Sequence, residues 1–424
     1  MMLAVCCSKI LEDGLTLAVS ALFSSIAFSM RSIGFVLSRS PHVLPLFVRK
    51  AREKEYGEIR ESLLRSEEED VARAPTRSRR IKVEFAVPRA ATTLGKAREI
   101  RFVDEMDEAN DDEARGAKLV SEFSVSASVS FLADVPNAPL ENTIVLLNCT
   151  GGTQETWFAS GIVEAFCEKE NCSVLTLDMR GMGMATDIVD FDSLRVLAMD
   201  VMAVLRKVQE DKKRYKIGTK THIVGYSIGA GVAMWIGVLL SARRRDQRLT
   251  TPKIDSLSLF GFTSRGVIAN RKFMDRVFTR AFSAEMFVRA CGIRGFIGLM
   301  RFGIRPNYDA LDAQKMKGDD LLHFTCDTNT LDGFANQVKS WTTFDLSPDE
   351  VKSIEIPTLI LHVKGDEFAG HKAEQKSADA ETMPRGEFLE VEGEYSHLWP
   401  YESPQNFVDV VYEFVQNRAS ARRL

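Results

Sequence analysis

Short apolar runs separated by helical spacing constrain this chain most. Thr143–Leu147, Ser173–Leu177, His222–Val224, Leu257–Phe260 and Thr358–Leu361 each read as a strand without a distinct polar side. Between most of them apolar residues recur at helical intervals; Leu194, Leu197, Val201, Val204 and Leu205 share one face. A strand that is apolar on both sides must be covered on both, as in a parallel sheet between two helix layers. Upstream the period changes to two. Ile81, Val83, Phe85 and Val87 alternate with Lys82 and Glu84, and Phe123, Val125, Ala127, Val129 and Phe131 alternate with serines. That alternation predicts half-exposed antiparallel strands at a sheet edge. The expected class is α/β, a mostly parallel central sheet with helices on both faces, whose ligands sit beyond the strand C-termini.

A length of 424 residues suits one large α/β domain with extensions, or two smaller domains. Lys and Arg number 55 against 59 Asp and Glu, a net charge of −4, so global charge gives no sign of a nucleic-acid partner. The seven cysteines (Cys6, Cys7, Cys149, Cys167, Cys172, Cys291 and Cys326) show no metal-ligand spacing. They read as small buried residues in a reducing, intracellular compartment.

Residues 1–50 differ from the rest. Leu15–Phe28 is apolar and dotted with Ser, and Arg39, Arg49 and Lys50 follow. Three readings stand side by side: a membrane anchor or surface helix, an organellar or cleaved targeting peptide, and a helix packed on the main domain. Residues 51–80, with Glu67 to Asp70 ahead of Arg73, Arg77, Arg79 and Arg80, read as a charged linker. The main domain is expected over 81–424, with an acidic flexible loop between Asp104 and Glu113.

The chemistry centres on Gly225-Tyr226-Ser227-Ile228-Gly229, placed between the strand His222–Val224 and an apolar run from Ala230 to Leu240. A strand that turns sharply into a helix at a serine exposes its hydroxyl on a strained elbow, and glycines on either side let strand and helix approach. A hydroxyl needs a base and an orienting acid. Of the six histidines, His222 lies inside a strand, His362 ends another, His42 and His323 have no strand-end context, and His371 follows Gly370. His397 lies just past the expected strand Glu387–Val391, at the loop end of the sheet, and is the expected base. Asp366, beside Gly365 at the end of the strand Thr358–Leu361, is the expected acid, with Glu367 as its neighbouring competitor. The order is Ser, Asp, His.

These residues resemble the α/β-hydrolase superfamily, and other segments agree. Asp178-Met-Arg180-Gly181-Met-Gly183 is similar to the loop after the fourth strand of that family. Ile356–His362 resembles the strand leading to the acid, and Ser403-Pro404 through Phe414 resembles the closing helix. The likeness covers roughly residues 120–418. It implies oxyanion donors at the Ile228 amide and at Thr150, with Cys149 as the alternative. One departure is that Asn148-Cys149 stands where such enzymes often carry His-Gly. Backbone donors do not depend on side-chain type, so the hole can survive the change.

The resemblance also places a helical lid at about 264–350. From Arg265 to Arg305 nine Arg and Lys face only Asp275 and Glu285, interleaved with Phe273, Phe278, Phe282, Phe287, Phe296 and Phe302, and with Met274, Met286 and Met300. Such a cap suits an acyl chain or a lipid surface. The expected function is a serine hydrolase acting on esters or thioesters of hydrophobic acyl groups, without metal or organic cofactor. A membrane surface is the expected partner of the N-terminal segment or lid. An acyltransferase with the same triad and a non-catalytic binding protein are the alternatives.

Overall fold

The computed structural model describes residues 78–87, 123–132, 140–185, 191, 193–244, 251–265, 284–304, 306–314, 328–366 and 372–420. All of them belong to one compact unit, Ile59–Leu424. The segments 1–50 and 51–77, the acidic run 104–113, and Phe273, Met274, Phe278 and Phe282 of the basic stretch lie outside the described residues.

Eight strands form one sheet: β1 Ser78–Val87, β2 Phe123–Leu132, β3 Asn142–Leu147, β4 Cys172–Leu177, β5 Lys220–Tyr226, β6 Ser256–Phe260, β7 Thr358–Val363 and β8 Gly386–Val391. Their order is β1-β2-β4-β3-β5-β6-β7-β8. From β4 onward every neighbouring pair is parallel. The two alternating segments pair antiparallel with each other, and β2 pairs antiparallel with β4, at the edge where period-two patterning put them. β1 starts at Ser78, three residues before the alternation becomes legible.

The described helices of ten or more residues are α1 Leu194–Glu210, α2 Ile228–Arg244, α3 Ala284–Ile304, α4 Leu331–Thr342, α5 Ala373–Thr382 and α6 Pro404–Ser420. Ile144, Leu146, Val224, Leu359 and Leu361 form one core with Ile162, Phe166, Phe407 and Val411, which places α6 on that face of the sheet. The intervening residues Val145, Leu147, Ile223, Leu257 and Leu259 are also buried and point to the other face, as strand alternation requires. There α2 packs on Leu257, and α1 meets α2 at Gly231 through Leu194.

Between β6 and β7 the chain makes α3 and α4. α3 breaks at Gly292, whose φ of 75° is outside the helical range. Phe296 of α3 meets Phe334 of α4 edge to face at 5.8 Å. Phe287, Phe296 and Met300 are buried while Met286 is exposed. Among the described residues no helix is long and apolar enough to cross a membrane.

Candidate active site

Six loops at the C-terminal ends of the parallel strands converge. Ser227 follows β5 directly, with φ of 54° in the left-handed region where a non-glycine residue is strained. The Ser227 amide donates to the Phe260 carbonyl at 2.8 Å, tying the elbow to the end of β6. A Cβ on Gly225 would come 2.6 Å from the Ala230 Cα, and one on Gly229 would strike the Leu147 carbonyl. Both glycines are therefore required by contact, as expected from the sequence.

Asp366 sits three residues beyond β7, where its amide closes a turn onto the Val363 carbonyl at 2.9 Å. His397 sits six residues beyond β8. Its Nδ1 lies 2.8 Å from Asp366 Oδ1 and its Nε2 lies 3.2 Å from Ser227 Oγ. All three side chains are buried. Burial alone would raise the Asp366 carboxyl, but Lys376 and His397 outweigh it and hold the group far below the usual carboxylate range. An ionised carboxylate can only accept, so Nδ1 of His397 carries the hydrogen and Nε2 presents a lone pair to the serine. The Tyr226 hydroxyl donates to the His397 carbonyl at 2.8 Å. Gly261, at φ of 74°, leaves the imidazole its room: a Cβ there would lie 2.7 Å from His397 Cε1.

The loop after β3 faces the elbow. The amides of Ile228 and Thr150 make no hydrogen bond to the described residues. Gly151 is gripped from α4 and the turn before it: Gln337 Oε1 of α4 accepts its N–H at 2.7 Å, and Asn329 Nδ2, just ahead of the helix, donates to its carbonyl at 2.8 Å. Gln337 Nε2 donates to the Gly181 carbonyl at 3.0 Å and to Asn329 Oδ1 at 3.1 Å. Cys149 Sγ lies 3.7 Å from the Tyr401 hydroxyl, and burial pushes its thiol up to about 11, so it stays protonated. The Asp178–Gly183 loop is a brace. Asp178 accepts from the Gln154 amide at 2.8 Å at the start of the helix Gln154–Ala159. Arg180 makes a buried two-point pair with Asp200 of α1, at 2.9 and 2.8 Å.

The other described histidines, His222 and His362, are engaged by other partners. His222 lies at the far end of β5, with Nδ1 2.8 Å from Ser256 Oγ and Nε2 3.1 Å from Asn142 Oδ1. His362 Nδ1 receives the Nζ of Lys376 at 3.2 Å. Glu367, His42, His323 and His371 lie outside the described residues. Sequence reasoning missed Lys376, Gln337, Asn329 and Gly261. Each is an ordinary residue of a polar helix or loop until the fold brings it to the strand ends. Among the described residues no group of three or more His, Cys, Asp or Glu is placed to hold a metal.

Comparison with known proteins agrees with this architecture. The profile of the alpha/beta hydrolase family matches residues 144–410. A 3-oxoadipate enol-lactonase of Acinetobacter baylyi is 24% identical over 292 residues, which is 66% of this chain and 90% of that protein. A thermophilic esterase from Thermogutta terrifontis shares the fold with a TM-score of 0.51 at 18% identity, over 70% of this chain and 94% of the esterase. A bromoperoxidase from Bacillus anthracis does so with a TM-score of 0.52 at 14% identity, over 70% and 96% of the two chains. With the family profile spanning more than half its length, the chain belongs to the alpha/beta hydrolase family.

Proposed function

We propose that the chain is a serine hydrolase that cleaves a carboxylic ester or thioester through an acyl-enzyme. The observation that carries this is the relay from Ser227 Oγ through His397 to Asp366, at 3.2 and 2.8 Å, beneath a strained serine. Ser227 attacks the acyl carbonyl while Nε2 of His397 takes its proton. Asp366 fixes the imidazole tautomer and stabilises the imidazolium as it forms. The developing oxyanion accepts from the amides of Ile228 and Thr150. The proton then passes to the leaving group, and water activated by His397 releases the acid.

A hydrophobic acyl group is the proposed substrate. Its support is the α3–α4 region between β6 and β7, with Phe287, Phe296, Phe334 and Met300 buried and α4 bonded to the loop after β3. The lactonase relative acts on a cyclic ester by its name, and a lactone is opened by the same steps. Hydrolysis of acetyl to long-chain acyl esters by wild type and Ser227→Ala tests both parts. Turnover by wild type, lost in the variant and rising with chain length, is expected. Equal rates at all lengths would remove the acyl-chain preference, and turnover kept in Ser227→Ala would remove the mechanism.

A further inference from the structure

The two oxygens of Asp366 have different partners. Oδ1 faces His397, whereas Oδ2 receives Lys376 Nζ at 2.7 Å, and both members of this ion pair are fully buried. Lys376 comes from α5, also donates to Nδ1 of His362 at 3.2 Å, and lies over the Phe260 ring at 5.7 Å. The result is a continuous chain: Ser227, His397, Asp366, Lys376, His362. A neutral donor would satisfy Oδ2 as a hydrogen-bond partner. A full positive charge held beyond reach of water does something more, because it acts on the imidazole through the shared carboxylate.

We propose that Lys376 is a positioning residue that sets the working pH range of the Ser227–His397–Asp366 relay, by pinning the Asp366 carboxylate against His397 and cancelling part of its negative field at the imidazole. This rests on the hydrolase reading above. With Oδ2 committed to the ammonium, Oδ1 stays aimed at Nδ1. With Oδ2 held by the ammonium, the carboxylate's field at the imidazole is weaker than that of an unpaired carboxylate at the same distance.

Other charged and titratable groups around the relay come from several elements. They are His362 of β7, Glu390 of β8, Glu374 of α5, Tyr226 of β5, Tyr401 and Glu402 of the helix Trp399–Glu402, and Cys149 after β3. Burial raises Tyr226, Tyr401 and Cys149, which therefore stay neutral through the acid range. Burial, and after it the Lys376 charge, lowers His362, which keeps its Nδ1 free to accept from the ammonium. None of these other residues is altered when Lys376 alone is replaced, although His362 then loses the charge that helps to lower it.

The test is the second-order rate of labelling by a fluorophosphonate across the acid and neutral range, for wild type, Lys376→Gln, Lys376→Met and Lys376→Arg. Removing the charge stabilises the imidazolium, so the acid limb should move up by about one pH unit. At a pH on the wild-type limb the rate then falls about tenfold, with the plateau at higher pH nearly kept. Lys376→Arg should retain the wild-type limb. An unmoved limb in a cooperatively folded Gln or Met variant, or an equal loss of rate at every pH, would overturn the proposal. Failure of both uncharged variants to fold would assign the lysine a purely structural role and overturn it too. Absence of labelling in wild type at any pH would instead overturn the hydrolase reading, and this proposal with it.

Discussion

Gln337 of α4 accepts the Gly151 N–H at 2.7 Å while donating to the Gly181 carbonyl, so one buried side chain joins the loops after β3 and β4. Gly151 follows Thr150, the residue proposed to supply the second oxyanion donor. The Asn148-Cys149 departure from His-Gly is thus accompanied by support from a helix between β6 and β7. Gln337→Leu should lower kcat by about tenfold to a hundredfold with a smaller change in KM, since a displaced donor weakens transition-state binding. The same variant should lose about 1–3 kcal/mol of stability for the polar groups left unpaired, measured by denaturant unfolding. An unchanged kcat would show that the loop holds itself.

The Tyr226 hydroxyl bonds the His397 carbonyl from inside the nucleophile motif. Tyr226→Phe removes a buried donor and leaves that carbonyl unsatisfied, at a cost of about 1–2 kcal/mol. Ester turnover should fall while the secondary structure seen by circular dichroism is kept.

Gly261 occupies a backbone conformation that a side chain rarely adopts, with the imidazole immediately beside it. Gly261→Ala should displace His397 and reduce kcat by at least about tenfold, because small misplacements of a reacting group are costly. A crystal structure of the variant would show the ring moved from Ser227.

The buried ion pair gives stability a pH dependence of known sign. The folded Asp366 carboxyl is held far below the usual range by Lys376 and His397 against the opposing effect of burial, while the unfolded one titrates near about 3.9. Its contribution is fully present above about pH 5 and drains away as pH falls from there toward the folded value. Asp366→Asn leaves Lys376 buried without its counter-charge, so it should be less stable than wild type by about 3–5 kcal/mol at neutral pH. That gap should narrow on acidification. Urea unfolding of both proteins at neutral and acid pH measures it directly.

Much of this architecture is legible in the chain because burial writes it there. Strands β3 to β7 are apolar on both sides since helices cover both faces, and Ser227 is marked by the glycines its elbow needs. His397 and Asp366 can be read from their positions after strands. Lys376 cannot: in Ala373–Thr382 it stands among acidic and small residues with no apolar stripe, and it is partners from elsewhere in the chain, Asp366 first among them, that make its burial tolerable. Gln337 is hidden for a similar reason, since its partners are backbone groups of Gly151 and Gly181, more than 150 residues away in the chain. Backbone donors leave no trace in residue type, which is why Thr150 and Cys149 could not be separated by sequence.

The most direct measurement is to react the full chain with a fluorophosphonate, digest it and locate the adduct by tandem mass spectrometry. A single adduct on Ser227, absent after His397→Ala and after prior heat denaturation, is the expected result. An adduct on another residue, or one whose formation is indifferent to His397, would contradict the relay as the source of nucleophilicity.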